Sequence, residues 1–161
     1  MISQFKLKKL LHYNPRTGIF RWKRAPGFRR DLDGKRAGII HSDGRVQIMI
    51  DYVNYRAHRL AFLYMTGKFP DLEVDHKDGN KTNNRWKNLR EASRVVNAQN
   101  IRRASSNNKS GLLGAWPKRE KFYSQITANG KRIVLGTFET AKQAHRAYIS
   151  AKRKLHEGCT L

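Results

Sequence analysis

Asp75 and His76 stand side by side in Val74-Asp75-His76-Lys77-Asp78-Gly79-Asn80, where a short apolar run ends in a carboxylate, an imidazole and a Gly/Asn turn. Arg94 and Asn97 follow downstream, three positions apart, just after Ser93. These residue types suit hydrolysis of a phosphodiester, which needs an activated water, neutralised phosphate charge and a stabilised leaving oxygen. Asp75 is a hard oxygen donor suited to Mg2+, and the amide oxygen of Asn97 is a candidate second metal ligand. In a strand His76 would point to the face opposite Asp75, toward the water rather than the metal. Arg94 could then meet the scissile phosphate, where a fixed fork of donors does more than a point charge. Taken alone, an Asp-His pair is equally readable as a satisfied surface pair.

The elements that must hold these residues can be read from periodicity. Leu72-Glu73-Val74 runs as a short strand into Asp75 and His76, and 78–80 supplies a turn with a positive-φ residue. The stretch through Asn88 is polar and irregular, with Asn83, Asn84 and Asn88 suited to bonding loop backbone. Ser93 is an N-cap, so Arg94 opens a helix and shares a face with Asn97. Upstream, Leu60, Ala61, Tyr64 and Met65 recur at helical spacing from Ala57 to Thr66, and Gly67 is a C-terminal cap. His58 lies on that helix and reads either as a structural or as a catalytic histidine.

Residues 4–12 form a short amphipathic helix, stopped by turn chemistry at 14–18, and 19–23 alternate as a strand. Residues 27–38 are a basic, glycine-punctuated loop whose Arg29, Arg30 and Arg36 are placed to touch phosphates or simply to be solvated. A turn at 41–44 leads into a strand at 45–50, with a second turn near Asp51 and Asn54. Residues 102–111 form a polar linker. Beyond it, strands are expected at 113–116, 122–128 and 131–135, with Asn129-Gly130 as the hairpin turn. Thr140 and Gln143 make a capping box, and Ala144, Ala147, Tyr148, Ala151 and Leu155 give a closing helix its apolar face.

Composition narrows the partners. Among 161 residues, 34 Lys and Arg oppose 12 Asp and Glu, a formal net charge of +22, so a polyanion is expected. Six of the 12 acids fall in residues 51–106, around Asp75, as a cation site beside a phosphate would need. At 39% hydrophobic residues the chain can bury a core. One cysteine, Cys159, excludes an intramolecular disulfide and a Cys-rich zinc site. No apolar run approaches the roughly 18 residues that span a bilayer, and the first residues lack a signal-peptide core. A soluble, cytoplasmic protein with no membrane partner is expected.

Several of these segments together resemble the HNH endonuclease family, in the branch found in phages and among intron-encoded homing enzymes. The likeness is carried by Ala57-His58-Arg59-Leu60-Ala61, Val74 to Asn80, Asn84-Arg85-Trp86-Lys87-Asn88-Leu89-Arg90 and Asn97, with Tyr13 to Trp22 as a similar opening. The resemblance implies a two-stranded hairpin and helix around one divalent metal ion, Mg2+ first, with Mn2+ or another divalent ion as alternatives. It implies His76 as general base, Asp75 as metal ligand and Asn88 as the residue that bonds across the loop and steadies the base. The family's third position is often histidine; here it is Asn97. If the chain is phage-encoded, the cytoplasm would be that of a bacterial host.

Residues 112–158 resemble the three-stranded DNA-binding domain of plant ethylene-response factors (the APETALA type), also found fused to phage HNH enzymes. Gly111, Gly114, Trp116, Gln125, Asn129 to Arg132 and Leu135 to Phe138 carry that likeness. It implies a sheet in the major groove, with Trp116, Lys118, Arg119, Tyr123, Gln125, Lys131 and Arg132 as contact candidates. The expected architecture is α+β: a DNA-contacting, β-rich region at 1–56, an HNH core at 57–101, the linker, and a sheet-plus-helix domain at 112–158. The expected function is metal-dependent cleavage of double-stranded DNA, by nicking or, with two copies as a homodimer on the duplex, on both strands. The alternatives are a regulator that binds DNA without cutting it and a basic RNA-binding protein.

Overall fold

In the computed structural model every residue is described except Pro26 and Phe28. The chain is α+β and divides by internal contacts into two compact units, Met1–Ser93 and Arg94–Leu161.

The first unit opens with helix α1 (Gln4–Leu10), capped by the Ser3 hydroxyl on the Lys6 N–H. Strands β1 (Leu11–Asn14) and β2 (Ile19–Trp22) then form an antiparallel hairpin. The helix expected through residue 12 thus stops at Leu10. Leu11 and Tyr13 alternate inward opposite Trp22 and Phe20, and that pairing buries them where another helical turn would not. A second sheet is built from β3 (Ile39–Ile40), β4 (Val46–Ile50) and β5 (Val53–Arg56), in that order. Val46, Ile48 and Ile50 of β4 face the core, as period two requires. The turn near residue 51 is shorter than expected: Asp51 and Tyr52 alone make it, both at positive φ, and Asn54 already lies in β5.

Helix α2 (Ala57–Thr66) matches its expected span, and Gly67 caps it in the left-handed conformation at φ 85°. Its buried face, with Leu60, Ala61, Phe62 and Leu63, joins one core with Leu7, Leu11, Tyr13, Phe20, Ile48, Val74 and Leu89. Strands β6 (Glu73–His76) and β7 (Leu89–Ala92) pair antiparallel at the end of this unit. Val74 and Leu89 anchor that hairpin to the core, and Trp86 meets Phe62 edge-on at 4.8 Å.

The second unit begins with α3 (Arg94–Gln99), which starts at Arg94 as Ser93 predicts. Residues 102–111, expected as a linker, lie inside this unit: Arg102 bonds Thr160, and the Asn108 amide bonds the Leu112 carbonyl. A three-stranded antiparallel sheet follows, β8 (Trp116–Lys118), β9 (Lys121–Ala128) and β10 (Lys131–Phe138), with β9 central. The first of these strands starts later than expected and includes Pro117, which an edge strand tolerates because it needs no donor on its outer side. Asn129 and Gly130 turn the β9–β10 hairpin at positive φ. Helix α4 (Ala141–Leu155) carries the expected capping box between Thr140 and Gln143.

Its inner face differs in one place. Leu155 is exposed and Lys152 is buried instead, its ammonium donating to the Ile101 carbonyl while its stem fills the apolar layer. Gly114 sits under α4, where an added Cβ would fall 1.9 Å from the Tyr148 ring at a backbone φ of +74°. Only glycine permits that approach. No helix among the described residues is long and apolar enough to cross a membrane.

Candidate active site

Residues of the β6–β7 hairpin and its connecting loop carry the chemistry in the first unit. Asp75 and Arg90 are direct cross-strand partners. The Asp75 Oδ2 accepts from Arg90 Nε at 2.9 Å and from its terminal nitrogen at 2.8 Å, in a pair that leaves Asp75 buried. A carboxylate this enclosed is retained because its charge is matched at once by the guanidinium. Arg90 was legible as a motif residue, and its position opposite Asp75 follows once the hairpin register is known.

His76 is 4% exposed and sits beside the buried His58 of α2, the two rings edge-on with centroids 5.3 Å apart. His76 Nε2 lies 2.9 Å from Asn84 Oδ1. Burial is the largest influence on the His76 imidazole and holds its pKa below the ordinary value, partly opposed by the Asn84 bond and the Asp78 charge. The ring is therefore neutral near neutral pH, the state a general base requires.

The loop between the strands is closed by three side chains. Asn88 donates to Asp78 Oδ1 at 2.9 Å and to the Asn83 carbonyl at 2.8 Å, and its amide oxygen accepts the Asp78 N–H at 3.0 Å. Asn83 donates to the other Asp78 oxygen at 2.5 Å. Burial pushes the Asp78 carboxyl up, but the bonds from Asn83, the Asn80 N–H and Asn88 outweigh it and hold the group below the usual range. Asn88 thus bonds across the loop, to Asp78 and Asn83. The side chain on His76 itself is Asn84, which loop composition alone does not distinguish from its neighbour Asn83.

Around this centre the charge is basic. Asp43 is matched by Arg45 and Arg56 and held down to about 2, first by the Arg45 N–H, while Lys81 of the loop donates to the Asp43 carbonyl at 3.0 Å. Arg29 and Arg30 pair with Asp31 and Asp33 of their own exposed loop, and Arg36 bridges Arg21 in the sheet pattern. Arg94 and Asn97 belong to the second unit, on α3. So do the sheet residues. Trp116, Lys118, Tyr123, Gln125 and Arg132 share the face turned away from α4, with the Lys118 ammonium 5.4 Å from the centre of the Tyr123 ring. Arg119 lies in the β8–β9 turn at φ 54°, and Lys131 alternates to the other side at the hairpin tip.

His58 shows what burial does here. Its pKa is pushed down to about 3, first by burial and then by the positive character of His76, Arg45, Arg59 and Arg56, and its Nδ1 is enclosed without a hydrogen-bond partner. A folded pKa below the unfolded value of about 6.5 means that His58 supports the fold fully above that pH and loses its contribution as pH falls toward the folded value. Between pH 7.5 and pH 5 it alone should cost about 2 kcal/mol of stability, read by urea unfolding. A His58→Leu variant should flatten that slope; an equal slope in both proteins would contradict the assignment.

Comparison with known proteins places a family on this segment. Residues 55–99 match the family described as HNH endonuclease. That span takes in the end of β5, α2, the β6–β7 hairpin and α3, so this segment is similar to HNH endonucleases, in line with the enzyme class expected from its motifs. A solved structure described as "DNA binding and cleavage by the HNH homing endonuclease I-HmuI" is similar at 20% identity and a TM-score of 0.42, covering 92% of this chain and 88% of that one. A likeness of that degree carries no inference about this chain. No curated protein matches it.

Proposed function

We propose that this protein hydrolyses phosphodiester bonds of double-stranded DNA, with His76 as general base in a site that uses one divalent metal ion. The observation that carries the reading is His76 itself: a buried neutral imidazole fixed by Asn84, next to a buried carboxylate, in a segment that matches HNH endonucleases.

The residues present fit a hard cation better than zinc. The donors would be the Asp75 carboxylate and, by the family pattern, the Asn97 amide oxygen, with water and phosphate, all of them hard oxygen ligands. The place of Asn97 rests on the sequence pattern. When bound, the metal supplies charge neutralisation on the phosphate and on the departing 3′ oxygen.

The chain's own groups do the rest. His76 takes a proton from the attacking water, whose oxygen bonds to phosphorus as the P–O3′ bond breaks, leaving a 5′-phosphate and a 3′-hydroxyl. Asn88 keeps the loop closed, and Arg94 offers its guanidinium to the phosphate. One such site per chain nicks; two copies on the duplex would cut both strands. A supercoiled plasmid incubated with the protein and Mg2+ or Mn2+ tests this. Nicked circles that DNA ligase reseals are expected, and plasmid that stays supercoiled would contradict cleavage and favour the non-cutting regulator.

DNA affinity is assigned in part to the open face of the β8–β10 sheet, supported by a net charge of +22 and by Gln125 and Arg132 on one exposed face. Gln125→Ala with Arg132→Ala should weaken binding about tenfold or more and reduce its salt dependence by about one ion. Affinity and salt slope both unchanged in a fluorescence titration would remove this face from the account.

A further inference from the structure

Helix α3, which carries Arg94 and Asn97, has six residues and buries none of them, too little to hold a helix in water by itself. Its exit is strapped to the chain that follows α4. The Gly158 N–H donates to Gln99 Oε1 at 3.0 Å. The Thr160 hydroxyl donates to Asn100 Oδ1 at 2.5 Å and accepts from Arg102 at 2.6 Å, and the same guanidinium nitrogen reaches the Thr160 carbonyl at 2.5 Å. Asn100 is 6% exposed, and its N–H closes back on the Asn97 carbonyl at 3.1 Å. Gly158 is buried against the helix: an added Cβ would fall 2.1 Å from the Val96 carbonyl oxygen and 2.8 Å from Gln99 Cβ. Lys152 of α4 adds its bond to the Ile101 carbonyl, and α4 itself packs on β9 and β10.

We propose that Gly158 and Thr160 are positioning residues: the segment after α4 is a clasp that fixes α3 to the sheet unit, so that this unit sets the helix that serves cleavage as well as gripping DNA. The clasp closes a loop of chain from the end of α3 through the sheet and α4 and back to Val96, Gln99 and Asn100. Gly158 lets the returning strand touch the helix backbone, and Thr160 ties the two residues that follow the helix, Asn100 and Arg102, through one hydroxyl. The effect on cleavage rests on Arg94 and Asn97 serving the reaction as proposed above; the clasp itself does not. Asn97 would act through a neutral amide, so placement rather than charge must supply its grip, and a misplacement of about 1 Å can cost about 10²-fold in rate.

Hydrogen exchange of the metal-free full chain reads the clasp without any cleavage. Amides 98–101 should be protected in the wild type and exchange about tenfold faster or more in Gly158→Val, while those of β9 and β10 keep their rates. In single-turnover cleavage with Mg2+, Gly158→Val and Thr160→Val should each lower the rate by about 10- to 100-fold, with DNA affinity within a few-fold of wild type. Thr160→Ser, which keeps the hydroxyl between Arg102 and Asn100, should retain both the protection and the rate. Equal exchange of 98–101 in wild type and Gly158→Val, or a wild-type cleavage rate in that variant, would overturn the inference. If Gly158→Val fails to fold, seen as fast exchange in β9 and β10 as well, Thr160→Val against Thr160→Ser decides the matter. A protein whose α3 loosens in Gly158→Val but whose wild type never cuts DNA would sink the nuclease reading and leave the clasp standing.

Discussion

His76→Ala should lower the single-turnover rate of plasmid cleavage by about 10²- to 10⁴-fold, the range that general base catalysis supplies, while DNA affinity stays within a few-fold of wild type. Burial holds the imidazole neutral near pH 7, and a hydrogen bond to Asn84 fixes it in the strand position next to Asp75. Removing it leaves the buried Asn84 side chain without its ring partner, so some loss of stability is expected as well. His76→Gln separates the two effects, because its amide can still donate to Asn84 yet is not basic. Both variants should be equally inactive although the glutamine protein is the more stable. Cleavage that persists in either at more than a tenth of the wild-type rate would exclude His76 as the base.

Arg90→Leu is expected to destabilise the first unit by about 3 to 5 kcal/mol, the cost of stripping one partner from a buried ion pair. The Asp75 side chain is 7% exposed and Arg90 23%, so water cannot take over the lost interaction at the carboxylate. Val74 and Leu89, the residues before Asp75 and Arg90 in their strands, belong to the core, so the damage should reach it. Asp75→Asn combined with Arg90→Leu should recover part of the loss, since the carboxylate charge that Arg90 meets is then removed as well. Urea unfolding followed by tryptophan fluorescence reads this through Trp22 and Trp86. A shift below about 1 kcal/mol in Arg90→Leu would show that the pair contributes no more than a surface contact.

The sequence was most legible where a local rule acts alone. The span of α2 followed from apolar residues at helical spacing and a glycine able to adopt φ 85° at its end. The Asn129-Gly130 turn and the Thr140 capping box are likewise short-range signals with little competition. Misreadings came where tertiary pairing decides. Leu10 and Leu11 continue a helical pattern, yet Leu11 is drawn into β1 by Trp22 across the hairpin. Asp51 and Tyr52 form a tight turn at positive φ without the glycine that would announce one. Lys152 replaces Leu155 in the interior because the Ile101 carbonyl is there to meet its charge, a partner 51 residues away.

The site divides in the same way. Asp75, His76 and Asn88 were readable as motif residues, and the family match covers all three. Asn84 stood in the same motif, but its bond to His76 was not readable, because it depends on a loop that folds back over eight residues and on the Tyr13 hydroxyl far upstream. The Arg90 partnership needed the strand register. His58 lay open between a structural and a catalytic reading; the structure puts its ring against that of His76.

The central claim, that this chain cuts DNA with His76 and one divalent ion, is tested most directly by plasmid cleavage with the metal as the only variable. Loss of supercoiled DNA in Mg2+ or Mn2+, arrest on adding a chelator, and resumption when metal is restored in excess are expected. Equal cleavage in the presence of chelator, or none with any divalent ion by a protein that binds the plasmid, would contradict it.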